Sequence, residues 1–369
     1  MARSKPYVYA IDFVRMATII GVVLVHSVRF ALTSSDPLWG GLVQMLFQYG
    51  RESFMVVTGF VLAYQYLERA PTWWTFWKRR YRALLPPYLV WLAIFVGMSF
   101  PVWPVLPWLG HYVQKLPTGN GHLYYVVLTM ELYVLAPAFM ALLRWGRSRP
   151  WTLASLAVAW QLLIWTLAGY VGIRDVAPQM LVWTYGGYFI LGGVAAAHWP
   201  KVSQWLYAKR HQIALGLGLA VLTMGATYGL DLSWHHSISF ATDVFQPISV
   251  VYSLMVTIAL FATGTWFNAI RLERAGWDRW VRQLGNTSFG IYLIHPIFVH
   301  GWINSVNAAH IDLSPWLNAP LTALLSLALS VAVISGLQRT PRLAWLVGEP
   351  RTIVNPRVPA SHSGQAMVS

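Results

Sequence analysis

The reactive chemistry available to this chain is confined to a few ionisable side chains set inside apolar runs. These are Arg15 and His26, Arg51 and Glu52, Glu131 and His295, with His122 and His300 near the ends of two such runs. A neutral imidazole is the natural general base for deprotonating a hydroxyl. A carboxylate can orient that imidazole or stabilise its protonated form. The chain has no cysteine, which excludes disulfides, thiolate metal sites and thiol nucleophiles. It also lacks a G-x-S-x-G elbow, a Walker A loop and an H-E-x-x-H motif. A base and positive charge without an obvious covalent nucleophile suit direct transfer of a group to an acceptor hydroxyl.

Placing an Arg or Asp at the centre of a membrane span costs at least about 2.5–3.5 kcal/mol, so each such residue needs a reason. Arg15 and His26 are eleven residues apart. On a helix this puts them on one face, about 16 Å apart, forming a polar seam between the two leaflets. A lone buried histidine is as easily a hydrogen-bonded core residue; the shared face with Arg15 favours function. Glu131 falls near mid-membrane and is expected to need a partner such as Arg15, Arg51 or a histidine. Arg51 and Glu52 are adjacent, about 100° apart on a helix, so at least one is expected to reach a different partner. His295 precedes Pro296, whose missing N–H can open a local cavity or simply serve packing.

The elements that must position these residues follow from composition. Of 369 residues, 57% are hydrophobic and 15% aromatic, while only 10% are charged. Ordinary soluble domains carry roughly a quarter charged residues, so this is an all-α polytopic membrane protein. Hydropathy divides the chain into about ten candidate transmembrane helices: 11–30, 40–66, 83–103, 121–143, 151–171, 178–198, 212–230, 246–266, 285–304 and 316–337. Residues 1–338 form the membrane domain, with no appended soluble domain. Residues 339–369 form a short cytoplasmic tail expected to be poorly ordered.

The 26 basic and 12 acidic residues give a net charge of +14. In a soluble protein this would suggest nucleic acid; here the connections explain it. Alternate connections and the termini hold 21 of the Lys and Arg residues, whereas the opposite loops hold Lys115 and Arg174. This asymmetry places both termini in the cytoplasm and fits ten spans. Arg15 interrupts the first apolar run, which therefore reads as a span rather than a cleavable leader. The connection ERAPTWWTFWKRRYR (68–82) reads as an interfacial segment, with rings at headgroup depth and cations facing phosphates.

Five stretches resemble acyltransferase family 3, the ten-helix bacterial membrane acyltransferases of envelope and exported glycans. IDFVRMATIIGVVLVHS carries the R-x10-H pattern at Arg15 and His26; FMVVTGFVLAY is similar to a run ending in Ser-Gly-Phe, with Thr58 in place of the serine. FWKRRYRALLPPYLVW matches a basic R-x-x-R entry at Arg79 and Arg82. GHLYYVVLTMELYVLAP places His122 and Glu131, with Tyr124–Tyr125 where Trp-Phe is common, and SFGIYLIHPIF places His295. The match spans most of the chain in order, and its departures weaken only a subgroup assignment.

The resemblance implies an acyl-CoA donor, usually acetyl-CoA, held from the cytoplasmic side as a substrate and not as a bound cofactor. It makes Arg79 and Arg82 candidates for the donor phosphates, His26 the candidate base, and Arg15 and Glu131 its organising charges. His122, Thr58, Arg51, Glu52 and His295 are candidates for the acceptor site or channel. The acceptor is expected to be a hydroxyl of a glycan or glycolipid at a bacterial inner membrane, with glycan synthesis or export proteins as possible partners. The rival reading is a polysaccharide exporter whose charges line a translocation path.

Overall fold

The structure, a computed structural model, describes residues 6–173, 181–234 and 236–348. Among these the chain is helical throughout and has no strand. The helices are α1 (Ala10–Val28), α2 (Pro37–Phe47), α3 (Gly50–Tyr66), α4 (Trp73–Ser99) and α5 (Val105–Lys115). They continue as α6 (Tyr124–Val134), α7 (Ala136–Trp145), α8 (Pro150–Gly169), α9 (Gly186–Ala197) and α10 (Trp199–Ala208). The last five are α11 (Arg210–Ser233), α12 (Ile238–Ala241), α13 (Pro247–Ile270), α14 (Ala275–Ala308) and α15 (Pro315–Arg339).

Among the described residues six helical stretches are long and apolar enough to cross a membrane: α1 with its continuation to Thr33, α4, α8, α11, α13 and α15. A seventh arises if the bent pair α6–α7 is one span. This is fewer than the expected ten. The run 40–66 is not one helix, because α2 ends at Phe47 and α3 starts at Gly50. At 11 residues α2 reaches only about 16 Å, short of a bilayer core of roughly 30 Å. The run 121–143 bends by 60° between α6 and α7, where Pro137 opens the second helix and cannot donate to the first. In the run 178–198 the described helix α9 has 12 residues. The segment 285–304 lies within α14, a 34-residue helix that buries Thr287, Ser288 and His295 on its packed side.

The aromatic and basic segment before the third run is continuous with it, so Trp73 through Ser99 form one helix. Residues 340–348, placed in the tail by sequence, turn back onto the bundle. Ala344 and Val347 are buried there, and the Trp91 indole donates to Leu346 O at 2.8 Å. The remainder of the expected tail, and Arg174, lie outside the described residues.

α1 is the central helix, packed by α3, α13, α14 and α15. The tightest approach is between α3 and α9. A Cβ added at Gly59 would lie 2.0 Å from Phe189 O, and one at Gly192 would lie 2.0 Å from Val56 O. Backbones meeting this closely replace the hydrophobic drive that lipid cannot supply between helices.

The two ends of the bundle differ. The Tyr64 hydroxyl of α3 donates to Pro6 O at 2.8 Å, and the Arg271 guanidinium lies 3.6 Å from the Tyr9 ring centroid. Arg80 of α4 donates to Gln65 of α3 at 3.2 Å. These contacts gather the start of α1, the α3–α4 connection and the α13–α14 connection at one end, here termed the basic end. His26 is carried three turns of α1 beyond Arg15, to the other end.

Candidate active site

Three histidines from distant stretches of sequence meet at the end opposite the basic one. His26 lies in the last turn of α1, His122 in the short 3-10 turn that leads into α6, and His295 near the middle of α14. The ring centroids are 5.1 Å apart for His26–His295, 5.4 Å for His122–His295 and 6.4 Å for His26–His122. A cavity of about 550 Å³ opens against them, with His26 and His122 in its wall.

Hydrogen bonds fix two of the three rings. His295 is fully buried, and its Nδ1 lies 3.0 Å from Ile291 O and 2.9 Å from Tyr292 O. Carbonyls only accept, so Nδ1 carries the proton and Nε2 keeps a lone pair. That Nε2 is buried without a hydrogen-bond partner. The Nε2 of His122 lies 3.3 Å from Leu293 O and by the same reasoning is protonated, leaving Nδ1 as acceptor. Tyr292 of α14 clamps this ring from the other side, its hydroxyl donating to the His122 carbonyl. His26 makes ring contacts with both histidines and is half-buried, open to the cavity. The arrangement therefore holds one accessible imidazole beside two immobilised neighbours that each keep a lone pair.

The opposite wall comes from the first turns of α3 and α6. Arg51 donates to Glu52 Oε1 from Nε at 3.0 Å and from Nη2 at 2.6 Å. Its Nη1 donates to the Tyr124 hydroxyl at 3.3 Å, and its guanidinium lies 4.9 Å from the Tyr185 ring centroid. Arg51 thus reaches a second partner, as expected of an adjacent pair on a helix, and it also bonds to Glu52. Helix-face geometry describes Cβ directions, whereas the long arginine stem folds back around the first turn of α3. Thr58 donates to Phe54 O at 2.8 Å and meets the Tyr125 hydroxyl at 3.4 Å, about two turns along α3 from Arg51.

The remaining sequence-singled residues stand elsewhere. Glu131 does not line the cavity; it accepts from the Val182 backbone N–H at 3.1 Å, capping the 3-10 turn before α9. Its hydrogen-bonding partner is thus a backbone group, where the sequence suggested side chains such as Arg15, Arg51 or a histidine. Arg15 also lies outside the cavity wall, on α1 toward the basic end. Arg79 and Arg82 are exposed on the first turns of α4 at the basic end. From Arg82 to Phe95, whose ring lies 4.8 Å from that of His122, α4 rises about 20 Å. Among the described residues no group of three or more His, Asp or Glu side chains is arranged to hold a metal ion.

Tyr292 and Asn120 belong to this site without having been singled out from sequence. Asn120 ties the start of α6 to α4 by donating to Phe95 O at 3.0 Å and Ser99 Oγ at 3.1 Å. Tyr292 could have been found, because it precedes His295 by three residues and so shares its helix face. Asn120 lies in a loop, and its partners on α4 leave no periodic signal.

A profile described as an acyltransferase domain matches residues 8–335, most of the chain and every element that builds this site. The chain belongs to acyltransferase family 3. Membership supports a membrane acyltransferase in general terms. A regulator of hypoxia-inducible factor 1 from Caenorhabditis elegans is 24% identical over 289 residues, covering 66% of this chain and 57% of that protein. The acyltransferase thus spans little more than half the length of this relative. No solved structure matches the chain.

Proposed function

We propose that this acyltransferase moves an acyl group, acetyl in the simplest case, from acyl-CoA to a hydroxyl of an envelope or exported glycan or glycolipid. The proposed setting is a bacterial inner membrane, with both termini cytoplasmic. The observation that carries this reading is the meeting of His26, His122 and His295 against one cavity, whose wall holds His26 and His122, with hydrogen bonds fixing the rings of His122 and His295.

In the proposed reaction the His26 imidazole takes the proton of the acceptor hydroxyl as its oxygen attacks the thioester carbonyl. The new C–O bond forms and the carbonyl electrons move onto oxygen. The Tyr124 and Tyr125 hydroxyls and the Arg51 guanidinium, all in the cavity wall, are the donors available to that oxyanion. Collapse restores the carbonyl and breaks the C–S bond. The leaving thiolate takes the proton from His26, so the products are an ester and free CoA. The lone pair on His295 Nε2 lies within a ring rotation of His26 and would stabilise its protonated form.

Arg79 and Arg82 would hold the donor's phosphates at the basic end, where guanidinium forks suit them. The rise of α4 from there to the histidines is of the order of the donor's pantetheine arm. Arg15 and Glu131, outside the cavity, are assigned no contact with the reacting atoms. The test is acyl-CoA binding by the purified protein in nanodiscs. Arg79→Ala and Arg82→Ala should each weaken binding about tenfold or more, as expected for loss of a charge-assisted contact. Unchanged affinity in both would return these arginines to a purely topological role.

A further inference from the structure

The cavity wall is charged in one sense only. Arg29 and Arg51 line it together with His26, His122 and His300, and among the described residues no Asp or Glu side chain does. Glu52 balances Arg51 from behind, being 2% exposed. Arg29 is exposed and has no salt-bridge partner among the described residues.

The position of Arg29 is also unexplained by topology. The chain concentrates its Lys and Arg residues at the opposite end of the bundle, and a cation at this end runs against that trend. The backbone is specialised at this point as well. Immediately after α1 the helix widens into a π turn, Arg29–Thr33, a form that recurs at functional sites. The turn brings Phe30 against His300, ring centroids 4.4 Å apart, and sets Arg29 in the cavity wall one turn beyond His26.

We infer that the acceptor taken by this cavity is anionic, and that Arg29, backed by Arg51, binds its carboxylate or phosphate while a nearby hydroxyl faces His26. A planar guanidinium offers a two-pronged donor to either group. The inference rests on the proposed acyl transfer and adds the chemical class of the acceptor.

The test uses cells of the native host with the gene intact, deleted, or replaced by the His26→Ala, Arg29→Gln or Arg51→Lys form. Cells are grown with radiolabelled acetate, and alkali-labile label is followed through glycan fractions on an anion exchanger. Label that depends on the chain and on His26 should appear in the retained fractions. Arg29→Gln should lower it at least about tenfold at equal protein level, the loss expected of a charge-assisted hydrogen bond. Arg51→Lys, which keeps the charge but loses the fork, should lower it less. Retention abolished by carbodiimide–borohydride reduction identifies a carboxylate; retention abolished by hydrofluoric acid identifies a phosphodiester. Chain-dependent label in the unretained, neutral fraction, or undiminished label in Arg29→Gln, overturns the anionic acceptor and leaves acyl transfer standing. Glycan label that does not depend on the chain or on His26 overturns acyl transfer itself, and this inference with it.

Discussion

Replacing His26 with alanine is expected to lower the rate of acyl transfer by about 10²–10⁴-fold, the range for losing a positioned general base. The effect should fall on turnover and spare donor binding, because His26 lies in the last turn of α1 and Arg79 and Arg82 lie at the other end of the bundle. Stability should change little. The ring is half-buried, faces the cavity and makes no hydrogen bond that its loss would orphan. The opening left beside His122 and His295 is continuous with the cavity, so added imidazole should restore part of the rate to the alanine form. A structural histidine would show the opposite pattern, with a lower melting temperature and no imidazole rescue. Comparing turnover, acyl-CoA affinity and thermal melting of the two forms in nanodiscs separates these outcomes.

The second large effect is on stability and involves Arg51. Its side chain is 14% exposed, toward the cavity, whereas that of Glu52 is 3% exposed and sits behind it. Glu52 Oε2 already lacks a hydrogen-bond partner, so the carboxylate depends on the two bonds from Arg51 to Oε1. Arg51→Met would leave that charge buried and uncompensated, a change that costs about 3–5 kcal/mol in comparable buried pairs. The double form Arg51→Met with Glu52→Gln removes the charge together with its partner and should recover most of the loss. Glu52→Gln alone should be mild, because Arg51 keeps Tyr124 and access to the cavity. Thermal melting of the three forms checks this order, and an Arg51→Met protein as stable as wild type would show that the pair does not hold the start of α3.

What could be read from sequence follows the range of the interactions concerned. The Arg15–His26 seam was legible because both lie on one unbroken helix, where periodicity fixes relative direction. The same periodicity sets Tyr292 and His295 on one face of α14, although only His295 drew attention in the sequence. The meeting of His26, His122 and His295 was not legible, since it depends on how α1, α6 and α14 pack. That Glu131 needs a partner follows from its place in an apolar run, but which one does not, because the Val182 N–H arrives from a turn some fifty residues away. Hydropathy does not register a break in a run that stays apolar. Gln48 and Tyr49 barely dent the average between α2 and α3, yet the backbone there ends one helix and starts another. The bend at Leu135 is similarly hidden, because Pro137 is apolar and acts by withholding a backbone donor.

The most direct measurement of the central claim pairs donor consumption with product formation. Purified protein is reconstituted with labelled acetyl-CoA and, as acceptor, the glycan fraction from cells lacking the chain. Free CoA is followed by thiol release and glycan ester by mass spectrometry. The expected result is equal amounts of CoA and glycan-bound acetyl, both lost in His26→Ala. Normal transfer in His26→Ala would contradict the assignment of the base. Glycan crossing the membrane without gaining an acyl group would contradict the enzyme itself and favour an exporter.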